Sequence, residues 1–175
     1  MTDQHAAPMR KLSKVVPYRL ARSNAEMVRL VSLLCEANGF KLNIWRVMSA
    51  IGTYRSISPM EICKLTTIDK AMVSRAIREL VERNLIDRRA DQRDARWAQI
   101  ELTVEGAAVY DRMVAEIDAL ERHLFGDLPA GRIDEFMDML GLVERRARQA
   151  RETIALKGKA SFERLLENDA PSSDR

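Results

Sequence analysis

Residues 58–103 read SPMEICKLTTIDKAMVSRAIRELVERNLIDRRADQRDARWAQIELT, and this segment has the clearest structural pattern in the chain. Ser58 can cap backbone N–H groups, proline follows at the first helical position, and Glu61 can reach back to the cap. This pattern predicts a short helix that begins after Ser58, and Thr66 begins the turn that follows it. The residues predicted for the apolar side of this helix are Ile62 and Leu65.

A second helix is predicted from Lys70 to about Asn84, with Asp69 as its N-terminal cap. Its apolar positions have the spacing of one buried face and are Val73, Ile77, Leu80 and Val81. Its other face is cationic, with small to medium side chains in the early turns, and carries Lys70, Ala71, Ser74, Arg75 and Arg78. Such a face is typical of a helix that enters the major groove of DNA.

A β-hairpin is predicted after the second helix. Residues 86–90 and 97–102 read as two short strands. Residues 91–96, with the sequence DQRDAR, form a polar tip between them. A tip of this kind could lean into a groove beside the one that the helix enters.

The rest of the chain predicts further helices, because apolar residues recur there every three or four positions. These helices span about residues 18–37, 43–53, 104–125 and 130–154. Residues 1–14 mix charged and polar residues without a period, which predicts a flexible arm. Residues 156–175 form a predicted tail with room for a short helix over residues 161–168.

The predicted fold is mainly α, a winged helix-turn-helix with a two-stranded β wing and long dimerisation helices. The domain would span residues 15–155, with a DNA-binding lobe at 43–103 and dimerisation helices at 18–37 and 104–155. The last two helices carry more apolar surface than a small winged domain needs, and an exposed patch of that size is a liability in a monomer. We therefore predict that they pair with the first helix across a two-fold axis in a homodimer.

The composition permits nucleic-acid binding without requiring it. The chain has 29 Lys and Arg residues against 26 Asp and Glu residues, a formal net charge of +3 and a pI near 9.0. The placement of the charges therefore matters more than their sum. The first residues lack an apolar run and no uncharged stretch is long enough to span a bilayer, which predicts a cytoplasmic protein with no membrane partner.

Catalytic and metal-binding chemistry find little support in the sequence. The two histidines, His5 and His123, have no paired ligands at metal spacing. The two cysteines, Cys35 and Cys63, fit neither a disulfide framework nor a zinc site. We therefore predict no enzymatic activity, no cofactor and no metal site.

Several motifs in and just after residues 58–103 occur together in one known family. They are Asp69-Lys70, Val73-Ser74-Arg75, LVERNLI at residues 80–86, Arg88-Arg89, Asp91-x-Arg93-Asp94-x-Arg96 and Leu102-Thr103-x-x-Gly106. With these motifs the chain resembles the MarR family of bacterial transcription regulators over roughly residues 18–154. The wing motif followed by Leu-Thr-x-x-Gly is the most specific part of the resemblance.

The resemblance implies a transcription regulator, most simply a repressor, that binds a pseudo-palindromic operator in double-stranded DNA as a homodimer. The residues predicted to bind DNA are Thr66, Lys70, Ala71, Ser74, Arg75, Arg78, Arg93, Asp94 and Arg96. Arg75 is predicted to read a guanine and Lys70 to meet a phosphate. In the wing, Arg93 and Arg96 would reach the backbone or the minor groove, and Asp94 would orient them.

The resemblance also implies a small effector, an aromatic acid or an aromatic acyl-CoA, that releases the protein from DNA. The predicted ligand-binding residues are Arg19, Arg22, Ser23, Trp45, Met48 and Met113. Aromatic and sulfur side chains would form an adaptable apolar wall, and an arginine could hold a carboxylate. The alternative for Trp45, Met48 and Met113 is that they are ordinary core residues.

Two other functions stay open at this point. The first is a helical adaptor whose winged domain contacts protein rather than DNA. The second is a redox-sensing regulator that uses Cys35 or Cys63. Some MarR relatives sense oxidants through a cysteine near the start of the first helix, and neither cysteine here has that placement.

Overall fold

The computed structural model describes residues 11–90 and 98–158 of the chain. The chain divides into two compact units, one that ends at Leu120 and one that begins at Glu121. The helices of the first unit, after a 3₁₀ turn at Leu12–Lys14, are α1 (Val16–Ala37), α2 (Leu42–Tyr54), α3 (Pro59–Thr66) and α4 (Lys70–Glu82). The remaining elements are β1 (Ile86–Ala90), β2 (Ala98–Leu102), α5 (Val104–Phe125) and α6 (Arg132–Lys157). The predicted fold class, mainly α with a two-stranded wing, is confirmed.

The core of the first unit is built around α2, whose Val47, Met48 and Ile51 have no exposed surface. Apolar side chains of the neighbouring helices and strands surround it, and the fully or almost fully buried ones are Ile62, Val73, Leu80, Ile86, Ile100 and Met113. Because α3, α4 and the hairpin share this one core, the orientation of the second helix of the helix-turn-helix is fixed by packing.

The hairpin has a simple antiparallel register. Ile86 lies opposite Leu102, and Ala90 lies opposite Ala98. A further bridge joins Ile57 to Ile100, with the Ile57 N–H 3.2 Å from the Ile100 carbonyl and the Ile100 N–H 3.0 Å from the Ile57 carbonyl. Since alternate residues of a strand face opposite sides, Ile86 and Ile100 turn towards the core.

The predicted helix caps are confirmed. The Ser58 hydroxyl accepts from the Glu61 N–H at 3.3 Å, and the Ser58 N–H donates to Glu61 Oε2 at 2.9 Å. Asp69 accepts from the Met72 N–H at 2.9 Å. These caps fix where α3 and α4 begin.

The Ser58→Ala variant is expected to lose about 1 kcal/mol of stability near neutral pH, because α3 loses its cap. The Ser58 hydroxyl, followed by the Ser58 N–H, holds the pKa of Glu61 below its ordinary value of 4.5. A lowered carboxyl pKa stabilises the fold above the unfolded-state value, and that stability is lost as the pH falls through the folded-state value. The difference in unfolding free energy between wild type and Ser58→Ala should therefore be smaller at pH 3 than near neutral pH, as measured by urea unfolding. A larger difference at pH 3 would contradict this explanation.

Several predicted boundaries need correction. The arm was predicted over residues 1–14, but Leu12–Lys14 forms a 3₁₀ turn and α1 begins at Val16; residues 1–10 lie outside the described residues. The second helix ends at Glu82 rather than Asn84, because Asn84 has φ of 56° and Leu85 donates its N–H to the Leu80 carbonyl, which ends the helix. The α6 helix continues to Lys157, and the short helix predicted over 161–168 lies outside the described residues.

The predicted apolar faces are right in part. Ile62, Val73, Ile77 and Leu80 are buried as predicted. Leu65 and Val81 are 48% and 42% exposed, so their assignment to the buried faces is wrong. Ala76 takes a buried position on α4 that the prediction left out.

Candidate nucleic-acid interface

A tight turn joins α3 to α4. Thr67 has φ of 56°, a left-handed conformation that β-branched residues rarely adopt. The Thr67 hydroxyl donates to the Thr66 carbonyl at 2.7 Å, and the Thr66 hydroxyl donates to the Ile62 carbonyl at 2.7 Å. Thr66, one of the predicted DNA contacts, is therefore half-buried and its hydroxyl proton is held by its own helix.

The predicted cationic face of α4 is exposed along its whole length. Its buried side consists of Val73, Ala76, Ile77 and Leu80. The exposed residues on the other side are Lys70, Ala71, Ser74, Arg75 and Arg78. The structure thus brings together on one accessible surface all five helix residues that the sequence pattern selects.

The charges of this face are not neutralised by acids of its own helix. The Arg75 Nε donates to the Ala71 carbonyl at 3.4 Å. This bond does not use the two terminal nitrogens of the guanidinium. Within residues 11–90 and 98–158, no ion pair involves Lys70 or Arg78. Glu79, the nearest acid in sequence to Arg78, lies instead 3.7 Å from Arg83. The face therefore carries a net positive charge towards solvent.

The predicted wing contacts cannot be placed in the same way. Arg93, Asp94 and Arg96 lie outside the described residues. The strands that lead to and from them are described, and the pairing of Ala90 with Ala98 closes the hairpin below the tip.

The predicted ligand-binding residues occupy two different environments. Arg19, Arg22 and Ser23 are exposed on α1. Met48 and Met113 have no exposed surface and belong to the core. A ligand-binding role for these two methionines is therefore not supported, because a ligand could touch them only if the core opened.

Trp45 differs from these methionines because it borders an open cavity. Its ring stacks on Tyr110 of α5, with the ring centroids 5.9 Å apart and the planes inclined by 28°. The cavity has a volume of about 440 Å³ and lies between α2 and the α3–α4 turn. It is lined by Trp45, Arg46, Ser49, Ala50, Thr53, Tyr54, Leu65, Thr66 and Thr67. Tyr110 was not among the predicted residues, because its proximity to Trp45 depends on packing between α2 and α5. Arg46 follows Trp45 directly in the sequence and was also not among them.

The two cysteines differ in burial. Cys35 has no exposed surface, and burial raises the pKa of its thiol despite the opposing charge of Arg46. Since the thiolate is the reactive form, Cys35 has the environment of an inert buried cysteine. Cys63 is half-buried on α3.

In the native protein, thiol labelling is expected to modify Cys63 well before Cys35. The physical reason is that the Cys35 thiol is both covered and disfavoured as a thiolate. Timed alkylation with mass spectrometry of the wild type and of the Cys63→Ser variant measures both rates. Fast alkylation of Cys35 in the folded Cys63→Ser variant would contradict the assignment and revive the redox-sensing alternative.

The described residues contain neither a group of potential metal ligands nor a membrane-spanning helix. Among residues 11–90 and 98–158, no three His, Cys, Asp or Glu side chains are grouped so that they could hold a metal ion. In the same part of the chain, no helix is long and apolar enough to cross a membrane.

Comparison with known proteins connects this architecture to one family. Residues 38–96 match the sequence model of the MarR family. No curated protein sequence matches the chain. A solved MarR family transcriptional regulator from Silicibacter pomeroyi DSS-3 is 25% identical, with a TM-score of 0.65 over 77% of this chain and 98% of that one.

Other solved structures share the fold at lower identity. CouR from Rhodococcus jostii RHA1, bound to p-coumaroyl-CoA, is 21% identical with a TM-score of 0.69, over 77% of this chain and 95% of that one. A MarR variant from E. coli, complexed with operator DNA, is 22% identical with a TM-score of 0.64, over 77% of this chain and 99% of that one. Residues 38–96 of this chain thus resemble the MarR family in sequence, and the described residues have the winged helix-turn-helix fold of these solved structures.

Proposed function

We propose that this protein is a sequence-specific DNA-binding transcription regulator, with α4 as the helix that enters the major groove. The observation that carries the proposal is the α4 surface, which is exposed, cationic and held in place by a buried opposite face. A helix of this kind needs a rigid support, since base readout depends on holding a few side chains in register with the base edges. The proposed role is regulatory rather than catalytic, and it is exercised in the cytoplasm.

The proposed roles of the α4 residues follow from their positions along the helix. Lys70 is the first residue of α4 and lies where a helix meets the DNA backbone, so we assign it to a phosphate. Arg75 lies further along the same face, and we assign it to a guanine, the commonest partner of arginine in the major groove. Thr66, Ala71, Ser74 and Arg78 complete the helix-turn-helix contacts, and Arg93, Asp94 and Arg96 supply the wing.

The proposed regulator acts as a homodimer on a pseudo-palindromic operator. Support comes from α6, which presents an apolar row at helical spacing with Phe136 and Val143 each 43% exposed. Such a surface is usually covered by another protein surface. Light scattering should therefore give a mass near twice the 20.0 kDa of one chain, whereas a mass of one chain would contradict the dimer.

We further propose that the protein is a repressor that a small aromatic acid or aromatic acyl-CoA releases from DNA. Support comes from the cavity beside the α3–α4 turn, where Trp45 and Tyr54 offer aromatic surface and Arg46 offers a positive charge. The p-coumaroyl-CoA bound to CouR shows that a related fold accepts this class of molecule. An effector would act only by favouring the form that does not bind DNA. A thermal-shift screen of aromatic acids and their coenzyme A thioesters tests this class.

The first experiment for the proposed function is retention on heparin and on a random DNA duplex over a salt gradient. A regulator that meets phosphates with Lys and Arg should be retained at low salt and released as salt rises, because binding releases counterions. A helical adaptor that contacts protein would pass through both columns at low salt, and that result would favour the adaptor instead.

A further inference from the structure

The C-terminal end of α4 is anchored to residues 38–40, the loop between α1 and α2. The Arg83 guanidinium carbon lies 4.1 Å from the centroid of the Phe40 ring. The Arg83 Nη1 donates to the Gly39 carbonyl at 3.0 Å. Its distance to Glu79 Oε1 is 3.7 Å, within α4 itself. Arg83 therefore joins α4 to the loop by stacking and by a charge-assisted hydrogen bond.

The loop that receives Arg83 is itself rigid. Gly39 has φ of 73°, and the Phe40 N–H donates to the Cys35 carbonyl at 2.9 Å while the Gly39 N–H donates to the Glu36 carbonyl at 2.9 Å. This hydrogen-bond pattern is a regular helix ending, so the loop is a fixed continuation of α1. Phe40 is 4% exposed, which anchors the loop in the core.

The same loop is fastened to α5 on its other side. The Asn38 Nδ2 donates to Glu116 Oε2 at 2.7 Å and to the Leu34 carbonyl at 3.1 Å. Glu116 lies on α5, far from Asn38 in sequence. Through these bonds, residues 38–40 connect the long helices α1 and α5 to the end of α4.

We propose that Asn38, Arg83 and Glu116 are positioning residues, which set the half-site spacing that the dimer accepts without touching DNA. The proposal rests on the proposed function, in which the long helices form the dimer and α4 reads each half-site. The separation of the two α4 helices then decides which operator spacing fits. Core packing holds the buried face of α4, and these bonds add to it by joining the end of α4 to the helices that hold the dimer together.

The geometry makes α4 sensitive to this fastening. The helix has 13 residues and is therefore about 20 Å long. A tilt of about 10° at the fastened end moves the other end by roughly 3.5 Å, close to the rise of one base pair. Removing the bonds of Arg83 or Asn38 should therefore weaken the preference for one operator spacing. The base contacts within each half-site should stay unchanged.

The experiment uses the full-length protein and a duplex selected by it from a randomised library. Affinity is measured for this duplex and for versions with one base pair inserted or deleted at the centre. Wild type should prefer the selected spacing by about tenfold or more. The Arg83→Ala and Asn38→Ala variants should prefer it by no more than about threefold, while a base change within one half-site costs them as much as it costs wild type.

Matched variants separate positioning from charge. Glu116→Gln should behave as wild type, because the amide oxygen can still accept from Asn38. Glu116→Ala should lose the spacing preference. Arg29→Ala, which removes a guanidinium from an exposed pair with Glu26 on α1, should keep it.

Three results would overturn the proposal. The first is a wild-type spacing preference that persists in folded Arg83→Ala and Asn38→Ala proteins. The second is an equal loss of affinity for every duplex, which would indicate damage to the whole fold; if Arg83→Ala fails to fold, the uncharged change Asn38→Ala decides. The third is a wild type that selects no duplex, which would overturn the proposed function as well.

Discussion

Replacing Gly106 with alanine is expected to destabilise the folded protein by about 3 kcal/mol. A Cβ atom at this position would lie 1.9 Å from the Leu85 carbonyl oxygen. Neither side can give way easily, because the clash involves backbone. The Leu85 carbonyl accepts from the Thr103 N–H at 3.1 Å, and the Gly106 N–H donates to the Thr103 hydroxyl at 2.9 Å. Urea unfolding monitored by circular dichroism measures the loss.

The matched control is alanine at Gly141, within α6. A Cβ atom there would meet only the end of the flexible Arg145 side chain, at 3.3 Å. Since alanine is the better helix former, Gly141→Ala should be neutral or stabilising by up to about 1 kcal/mol. A Gly106→Ala protein as stable as wild type would mean that α5 does not approach Leu85 as closely as described.

The Arg75→Ala variant is expected to weaken binding to the operator by about 1–3 kcal/mol and to weaken binding to random DNA far less. The reason is that an arginine that forks onto a guanine discriminates among bases, whereas a charge that meets phosphate does not. Arg75 is exposed on the cationic face of α4, and within residues 11–90 and 98–158 its one hydrogen bond is a long one, from Nε to the Ala71 carbonyl at 3.4 Å.

Lys70→Ala is the matched comparison for Arg75→Ala, because it also removes one charge from α4. If Lys70 meets a phosphate, its loss should weaken operator and random DNA together and reduce the salt slope by about one unit. Salt titrations on the operator and on a scrambled duplex distinguish the two kinds of contact. Equal losses on both duplexes for Arg75→Ala would rule out the readout assignment, although the protein could still bind DNA.

Much of this fold could be predicted from local patterns in the sequence. The Ser58 and Asp69 caps, the cationic face of α4 and the two strands of the wing were all predicted, because each depends on residues within one or two helical turns or on one hairpin. For the same reason, the element types are right and the helix ends differ by only a few residues.

Contacts between distant elements account for what the sequence did not predict. Helical spacing places Leu65 and Val81 near the edge of an apolar face, but only the neighbouring elements decide whether that edge is covered. Arg83 belongs to a motif that reads as a charged surface, yet its partners are Gly39 and Phe40 on another loop. The prediction that Met48 and Met113 line a ligand pocket is not supported for a similar reason. Helical spacing alone does not show whether a buried side chain lies in the core or borders a cavity.

Whether α4 reads a DNA sequence can be measured by comparing two duplexes. Wild-type protein is titrated onto a duplex that it has selected and onto a scrambled duplex of equal length, between about 50 and 200 mM salt. If α4 reads the sequence, the selected duplex should bind more tightly by about 10³-fold or more, and affinity for both duplexes should fall as salt rises. Equal affinity for the two duplexes at every salt concentration, or no binding to either, would contradict it.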